Sequence, residues 1–295
     1  MKKIAYNNDK SKKKYKSGGS TMISIFRASA VIALPFFLYL LAIKPNTSRR
    51  EKMKPFREVY VAHRGLFDNK REAPENSMAA FKKAVSYGYG IELDVQMTKD
   101  GKLVVFHDDT LERMCKEKKK VVECTYLQLQ QYTLGISKEK IPLFDEVLDM
   151  VAGRVPLIIE IKPEGNYIET TRRVVERLRR YKGIYCIESF HPMVIAWCRR
   201  HAPQILRGQL ATSCTKERIK RNVCEKIVLT NLLLNFLAKP DFIAYNHKYA
   251  DAFSYRLCRT LYSVENVAWT IKSQGDLEKA KKIFQVFIFD SFIPK

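Results

Sequence analysis

The sequence predicts an α/β chain folded as a (β/α)8 TIM barrel with an antiparallel hairpin and a small insertion, preceded by one N-terminal transmembrane helix. Three observations predict it. Nine strand-like runs alternate with helical runs across residues 58–295, the pattern of βαβ units around a parallel sheet. With the second run taken through Thr98, only Lys99-Asp100-Gly101-Lys102 separates it from the third. A connection that short turns the chain back on itself, so the third run is an antiparallel return and eight strands remain for a barrel. Finally, Met22–Ile43 is an apolar run with Arg27 as its one charge, long enough to span a bilayer.

The elements follow in chain order. Residues 1–21 form a basic tail. Residues 22–43 are a transmembrane anchor, retained because no small-x-small cleavage pattern follows Leu41. Both flanks of the anchor are basic, so the positive-inside rule does not orient it. Ser17-Gly18-Gly19-Ser20 precedes Met22, and consecutive glycine codons can spell a bacterial ribosome-binding site. A start at Met22 makes residues 1–21 non-native and places the barrel on the cytoplasmic face. Seven cysteines without a CxxC pair agree with that reducing side. Residues 44–57 read as a basic linker. The strand-like runs are Tyr60–Ala62, Gly90–Met97, Leu103–Phe106, Leu157–Ile161, Tyr185–Ser189, Leu206–Leu210, Phe242–Tyr245, Val267–Ile271 and Val286–Phe289. Helices are expected over Ser77–Tyr87, Ile168–Tyr181, Pro192–His201, Ala250–Tyr262 and Gly275–Phe284, with Ser77 as an N-cap and Pro192 at a first helical position. The polar, Lys-rich segment 108–140 interrupts the alternation as an insertion.

Composition bounds the function. The formal charge is +22, but residues 1–57 hold fourteen Lys/Arg against Asp9 and Glu51. The excess therefore brackets the apolar run and reads as membrane-flanking charge. The body carries no RRM signature, zinc-finger spacing or base-reading basic helix, so no nucleic-acid partner is expected.

The chemistry gathers at strand ends. Glu92 and Asp94, two apart on one strand, point to the same face, where two buried carboxylates repel unless a cation or basic groups lie between them. A turn centred on Asp100-Gly101 brings His107 back beside roughly Asp94. The first strand ends in His63-Arg64-Gly65, and Glu160 and Lys162 share one face at the end of another. Residues at C-terminal strand ends of such barrels line the active site, so these side chains are expected to converge. Three carboxylates form a hard oxygen site for Ca²⁺ or Mg²⁺. Arg64 and Lys162 suit a phosphate, and two histidines suit general acid–base work. The combination reads as phosphodiester cleavage.

These residues carry a resemblance. His63-Arg64-Gly65, Pro74-Glu75-Asn76-Ser77, Ile91-Glu92-Leu93-Asp94-Val95-Gln96, Thr98-Lys99-Asp100-Gly101, Val105-Phe106-His107-Asp108 and Glu160-Ile161-Lys162-Pro163 occur in order, followed by Glu188-Ser189-Phe190, Arg207-Gly208-Gln209-Leu210 and Ala268-Trp269-Thr270-Ile271. The body resembles the glycerophosphodiester phosphodiesterase family. The resemblance implies a (β/α)8 barrel that hydrolyses glycerophosphodiesters to an alcohol and sn-glycerol 3-phosphate. It implies that Glu92, Asp94 and Glu160 hold one divalent cation, that His63 and His107 act as base and acid, and that Arg64 and Lys162 hold the phosphate. The resemblance further implies that Glu75 and Asn76 lie beside the site, with Glu75 helping to orient the metal or a histidine, and that Trp269 offers its face to the glycerol or head group. The final motif, Phe287-Ile288-Phe289-Asp290-Ser291-Phe292, lacks the glycine-rich approach common in the family.

Two alternatives stand beside this reading. One is lysophospholipase D-type cleavage of membrane lipids. The other is a non-catalytic, membrane-tethered module that binds a phosphate ligand. The apolar segment Ile227–Leu237 reads by default as a core helix, with a membrane-dipping helix near the barrel mouth as the sharper reading.

Overall fold

The computed structural model describes residues 33–295, so the tail 1–21 and the first half of the apolar run 22–43 lie outside the described residues. Residues 33–43 are helical. Among the described residues no helix is long and apolar enough to cross a membrane, so the transmembrane expectation gains no support here.

From Ile43 onward the chain forms one compact unit. Its nine strands are β1 (Val61–His63), β2 (Gly90–Met97), β3 (Leu103–Val105), β4 (Leu157–Ile161), β5 (Tyr185–Ser189), β6 (Arg207–Ala211), β7 (Phe242–Asn246), β8 (Glu265–Ile271) and β9 (Val286–Phe289). All but β3 run parallel in the order β1-β2-β4-β5-β6-β7-β8-β9, and β9 pairs back onto β1. The barrel is closed with eight strands, as expected. β3 pairs antiparallel with β2, Val105 opposite Val95 and Leu103 opposite Met97. Phe106 donates its N–H to the carbonyl of Asp94 at 2.9 Å, so the residue beside Asp94 is Phe106 and His107 lies one further on.

Helices α1 (Met78–Ser86), α2 (Phe144–Val151), α3 (Tyr167–Leu178), α4 (Pro192–His201), α5 (Val223–Thr230), α6 (Phe253–Leu261) and α7 (Gln274–Ala280) alternate with the strands. The Ser77 hydroxyl caps α1 by accepting from the Ala80 N–H, and Pro192 opens α4. The apolar run Ile227–Leu237 is not one core helix. α5 ends at Thr230 and buries none of its residues, while Leu232 and Asn235 beyond it are buried.

Residues 44–57, read as a linker, pack as part of the barrel. Met53 and Phe56 are fully buried in a core cluster with Ile158, Phe242 and Val267. Arg50 and Arg57 both pair with the buried Glu265 at the start of β8, and Arg49 pairs with Asp241 just before β7. Buried acids at the N-terminal strand ends thus meet arginines from this segment, and the Met53 and Phe56 side chains plug the floor of the barrel. The insertion 108–140 has an apolar cluster of its own, in which Leu111, Met114, Val121 and Leu129 pack on Val104 and Phe106 of the hairpin arm.

Candidate active site

Strand register builds the site. His63 at the end of β1 is aligned with Glu92 on β2, and Asp94 is aligned with Glu160 on β4, which is aligned with Glu188 on β5. Alternation along each strand turns these side chains inward while Leu93, Ile159 and Ile161 face the helices. Glu92, Asp94 and Glu160 are buried, and one oxygen from each lies within 4.8 Å of the others. Hard, anionic oxygens at that spacing fit a divalent cation such as Ca²⁺ or Mg²⁺.

The electrostatics agree with that fit. Burial, reinforced by Asp94, Glu160 and Glu188, pushes the Glu92 carboxyl well above its ordinary range. Burial also raises Glu160 and Glu188. At Asp94 burial is outweighed by Lys162, His107 and Arg64, which hold it well below the usual carboxylate range. One Glu188 oxygen is buried without a hydrogen-bond partner. The cluster thus carries anionic charge that the nearby protein cations only partly offset.

Those cations are Lys162 and Arg64. Lys162 Nζ lies 2.9 Å from both Asp94 Oδ1 and Glu160 Oε1. Arg64 has φ +55°, donates its N–H to Glu92 at 3.0 Å, and sets its guanidinium against Glu75 (2.7 Å) and Asp94 (3.5 Å). The next residue must be glycine. Gly65 has φ +83°, and a Cβ there would meet the backbone of Ala80 in α1 at 2.9 Å.

Each histidine has a carboxylate on its Nδ1. His63 meets Asp290 at 2.9 Å and His107 meets Asp108 at 2.6 Å. That contact fixes the tautomer with hydrogen on Nδ1 and leaves Nε2 free for chemistry. Burial holds His63 below its ordinary value, against the upward pull of Asp290. His63, Arg64, Glu92, His107, Glu160 and Trp269 all line one pocket of about 50 Å³ at the C-terminal end of the strands. Trp269 anchors its ring by donating to the Ala244 carbonyl and meets Phe190 edge-on at 5.4 Å.

The remaining expected residues act one step back. Asn76 donates to Asp94 Oδ2 at 2.8 Å. Glu75 touches neither the carboxylate cluster nor a histidine. It accepts from Arg64, Asn69 and Arg113. Lys162 lines an adjoining cavity instead of the small pocket. Sequence reasoning missed Asp290, Asp108, Arg113 and Glu188. Asp108 directly follows His107, and Asp290 directly follows β9. Glu188 occupies the register position of Asp94 and Glu160 one strand further round. Arg113 carried no local signal. It bridges Asp108 (2.6 Å) and Glu75 (2.6 Å) from inside the insertion.

The chain is 33% identical over 163 residues to a glycerophosphodiester phosphodiesterase of Caldanaerobacter subterraneus subsp. tengcongensis, covering 52% of this chain and 66% of that one. It is 31% identical over 156 residues to a human lysophospholipase D, covering 48% of each. The alignments thus span less than two thirds of these relatives. The fold is similar to that of an Oleispira antarctica phosphodiesterase solved in complex with sn-glycerol-3-phosphate, with TM-score 0.63 and 22% identity over 79% of this chain and 92% of the other. The model of the glycerophosphoryl diester phosphodiesterase family matches residues 63–283, from His63 through almost the whole barrel, and the chain belongs to that family.

Proposed function

We propose that the barrel hydrolyses glycerophosphodiesters to an alcohol and sn-glycerol 3-phosphate. The observation that carries this reading is the pairing of two histidines, each with a carboxylate on Nδ1, in one pocket with Glu92 and Glu160. A divalent cation, Ca²⁺ or Mg²⁺, held by Glu92, Asp94 and Glu160 supplies positive charge at the phosphate when bound. Arg64 and Lys162 bind the phosphate oxygens. His63, kept neutral by its burial, takes a proton at Nε2 from the attacking water. His107 gives a proton to the leaving alcohol oxygen as its bond to phosphorus breaks. Glu75 fixes Arg64, Asn76 fixes Asp94, and Trp269 offers its face to the glycerol. The product held in the Oleispira structure supports the same chemistry.

The membrane tether belongs to this proposal. The apolar run 22–43 holds the barrel at the cytoplasmic face of the cell membrane, as its cysteines suit. Protease treatment of intact spheroplasts tests the topology, and loss of the barrel from outside would reverse it.

The activity is tested by incubating the protein with glycerophosphocholine and glycerophosphoethanolamine, with Ca²⁺, with Mg²⁺ and with EDTA, and measuring glycerol 3-phosphate. Cation-dependent release is expected. No release with either cation on any glycerophosphodiester would leave the phosphate-binding module as the reading to pursue.

A further inference from the structure

The insertion 108–140 brings one side chain to the site that the reaction above leaves without a part. Arg113 lies on its short helix Glu112–Cys115. Leu111 and Met114, on either side of it, are buried in the insertion's own apolar cluster, and the Met114 carbonyl accepts from the Gly135 N–H at 2.8 Å. Packing thus fixes the backbone that carries Arg113. All five N–H groups of its guanidinium have acceptors. Nε donates to Asp108 Oδ2 at 2.6 Å. Nη2 donates to Asp108 Oδ1 at 3.0 Å and to Glu75 Oε1 at 2.6 Å. Nη1 donates to Glu75 Oε2 at 2.8 Å and to Met114 Sδ at 3.2 Å. One planar fork therefore chelates two carboxylates at once, a geometry that an ammonium does not copy.

Each of the two carboxylates holds a group that acts on the substrate. Asp108 Oδ1 lies 2.6 Å from His107 Nδ1, and Glu75 Oε1 accepts from Arg64 Nη1 at 2.7 Å. An unbroken line of contacts thus runs from His107 through Asp108, Arg113 and Glu75 to Arg64. Its two ends are held unequally. Glu75 is buried and also accepts from Asn69 at 2.8 Å. The Asp108 carboxylate has His107 and Arg113 as its partners among the described residues. Gln96 pins the backbone on both sides of His107 by donating to the carbonyls of Phe106 and Asp108, both at 2.8 Å. The aim of the imidazole is then set by Asp108, and the aim of Asp108 by Arg113. Loss of Arg113 frees Asp108 and His107 far more than Glu75 and Arg64.

We propose that Arg113 is a positioning residue for protonation of the leaving group. Through Asp108 it aims Nε2 of His107 at the departing oxygen, and through Glu75 it steadies Arg64 on the phosphate. It touches no reacting atom itself. The inference rests on the phosphodiesterase reading above and gives the insertion a part in that reaction. The water oxygen bonds to phosphorus, the bond from phosphorus to the leaving oxygen breaks, and the proton of His107 Nε2 ends on the released alcohol. The aim of His107 therefore matters only where the leaving oxygen needs a proton. The alkoxide of choline needs one. A 4-nitrophenolate leaves without one.

The experiment measures kcat and KM of the full chain, as wild type and as Arg113→Ala, on glycerophosphocholine and on glycerophospho-4-nitrophenol with Ca²⁺ or Mg²⁺. In Arg113→Ala, kcat on glycerophosphocholine is expected to fall by about 10–10²-fold, part of the loss that removing the acid would bring, while kcat on the nitrophenyl ester moves by less than about threefold. KM is expected to rise by about twofold to fivefold on both substrates as Arg64 loosens. The Arg113 side chain is 46% exposed, so its place is open to a small cation from solution. Millimolar guanidinium chloride is expected to restore part of the lost kcat on glycerophosphocholine, and sodium chloride at the same concentration to restore none. Arg113→Lys keeps the charge but does not serve both carboxylates, so it is expected to show the same selective loss. An equal fall in kcat on both substrates in Arg113→Ala overturns the proposal, because Arg113 then only staples the insertion to the barrel. Wild-type kcat on glycerophosphocholine in Arg113→Lys overturns it too. If Arg113→Ala does not fold, Arg113→Lys carries the same comparison of substrates. A wild type that releases neither choline nor nitrophenol sinks the phosphodiesterase reading, and the proposal with it.

Discussion

The Nδ1 atom of His63 lies 2.9 Å from Oδ2 of Asp290, although 227 residues separate them in the chain. The contact exists because β9 closes the barrel by pairing with β1, which brings the residue after the last strand beside the end of the first. Asp290 orients the imidazole and pulls its protonation upward, while burial pulls it down and wins. His63 is therefore neutral at pH 7.

Asp290→Asn tests this arrangement. The amide keeps a hydrogen-bonding group but removes the charge, so His63 should titrate lower still. A base must be unprotonated, so the acidic limb of kcat/KM lies below pH 6.5 in the wild type and should move to lower pH in the variant. The rate at pH 7 should fall by about tenfold or more as the imidazole loses its orientation. His63→Ala should cost about 10²–10⁴. An unchanged pH profile in Asp290→Asn would show that Asp290 only fills space.

Removing a carboxylate from the cluster should separate cation binding from folding. The wild type is expected to gain thermal stability with added Ca²⁺ or Mg²⁺, because a cation that binds only the folded state stabilises it by mass action. Glu92→Gln and Asp94→Asn should lose that gain together with turnover. Glu92→Gln should not unfold the protein, since it relieves the repulsion that Asp94, Glu160 and Glu188 exert on Glu92. Asp94→Asn gives up charge pairing with Lys162 and Arg64, so it should cost stability and is read by the loss of the cation-induced shift. A full cation-induced shift in both variants would remove these residues as ligands.

The Glu75 carboxylate carries a pH-dependent part of the stability. Burial raises it, but Arg113, Arg64 and Asn69 outweigh burial and hold it at about 2, below its ordinary 4.5. A depressed folded value means the contribution is present above about pH 4.5 and is lost as pH falls toward 2. Glu75→Gln should therefore be less stable than wild type at pH 7, by at most about 3 kcal/mol, and the gap should shrink through that window. Denaturant melts at pH 7, 4 and 3 measure it. A gap independent of pH would mean the carboxylate charge contributes nothing.

Much of this site is legible in the sequence because it is set by period and spacing. Glu92 and Asp94 share a face because strands alternate, and the four-residue Lys99–Lys102 connection forces the hairpin that carries His107. The partners that tune the site are not legible in the same way. Arg113 reaches Asp108 and Glu75 only because the insertion folds over its own apolar cluster. Asp290 reaches His63 only because the barrel closes. The arginines at 49, 50 and 57 misled for a related reason. Next to an apolar run they read as lipid-facing charge, and nothing local reveals that Asp241 and Glu265 await them under the barrel.

The barrel floor gives the last prediction. Met53 and Phe56 are fully buried against side chains of β4, β7 and β8, and the buried Glu265 is neutralised by Arg50 and Arg57. Phe56→Ala should cost about 3–5 kcal/mol, the usual range for a buried aromatic ring. A chain beginning at residue 58 should fare worse, because it loses both the Met53 and Phe56 side chains, strips Arg49 from Asp241 and leaves buried Glu265 without Arg50 and Arg57, and an uncompensated buried charge is itself strongly destabilising. A chain beginning at residue 43 keeps the plug. If residues 44–57 were only a tether, the chains beginning at 43 and at 58 would melt at the same temperature. The packing requires the shorter one to melt far lower or to fail to fold.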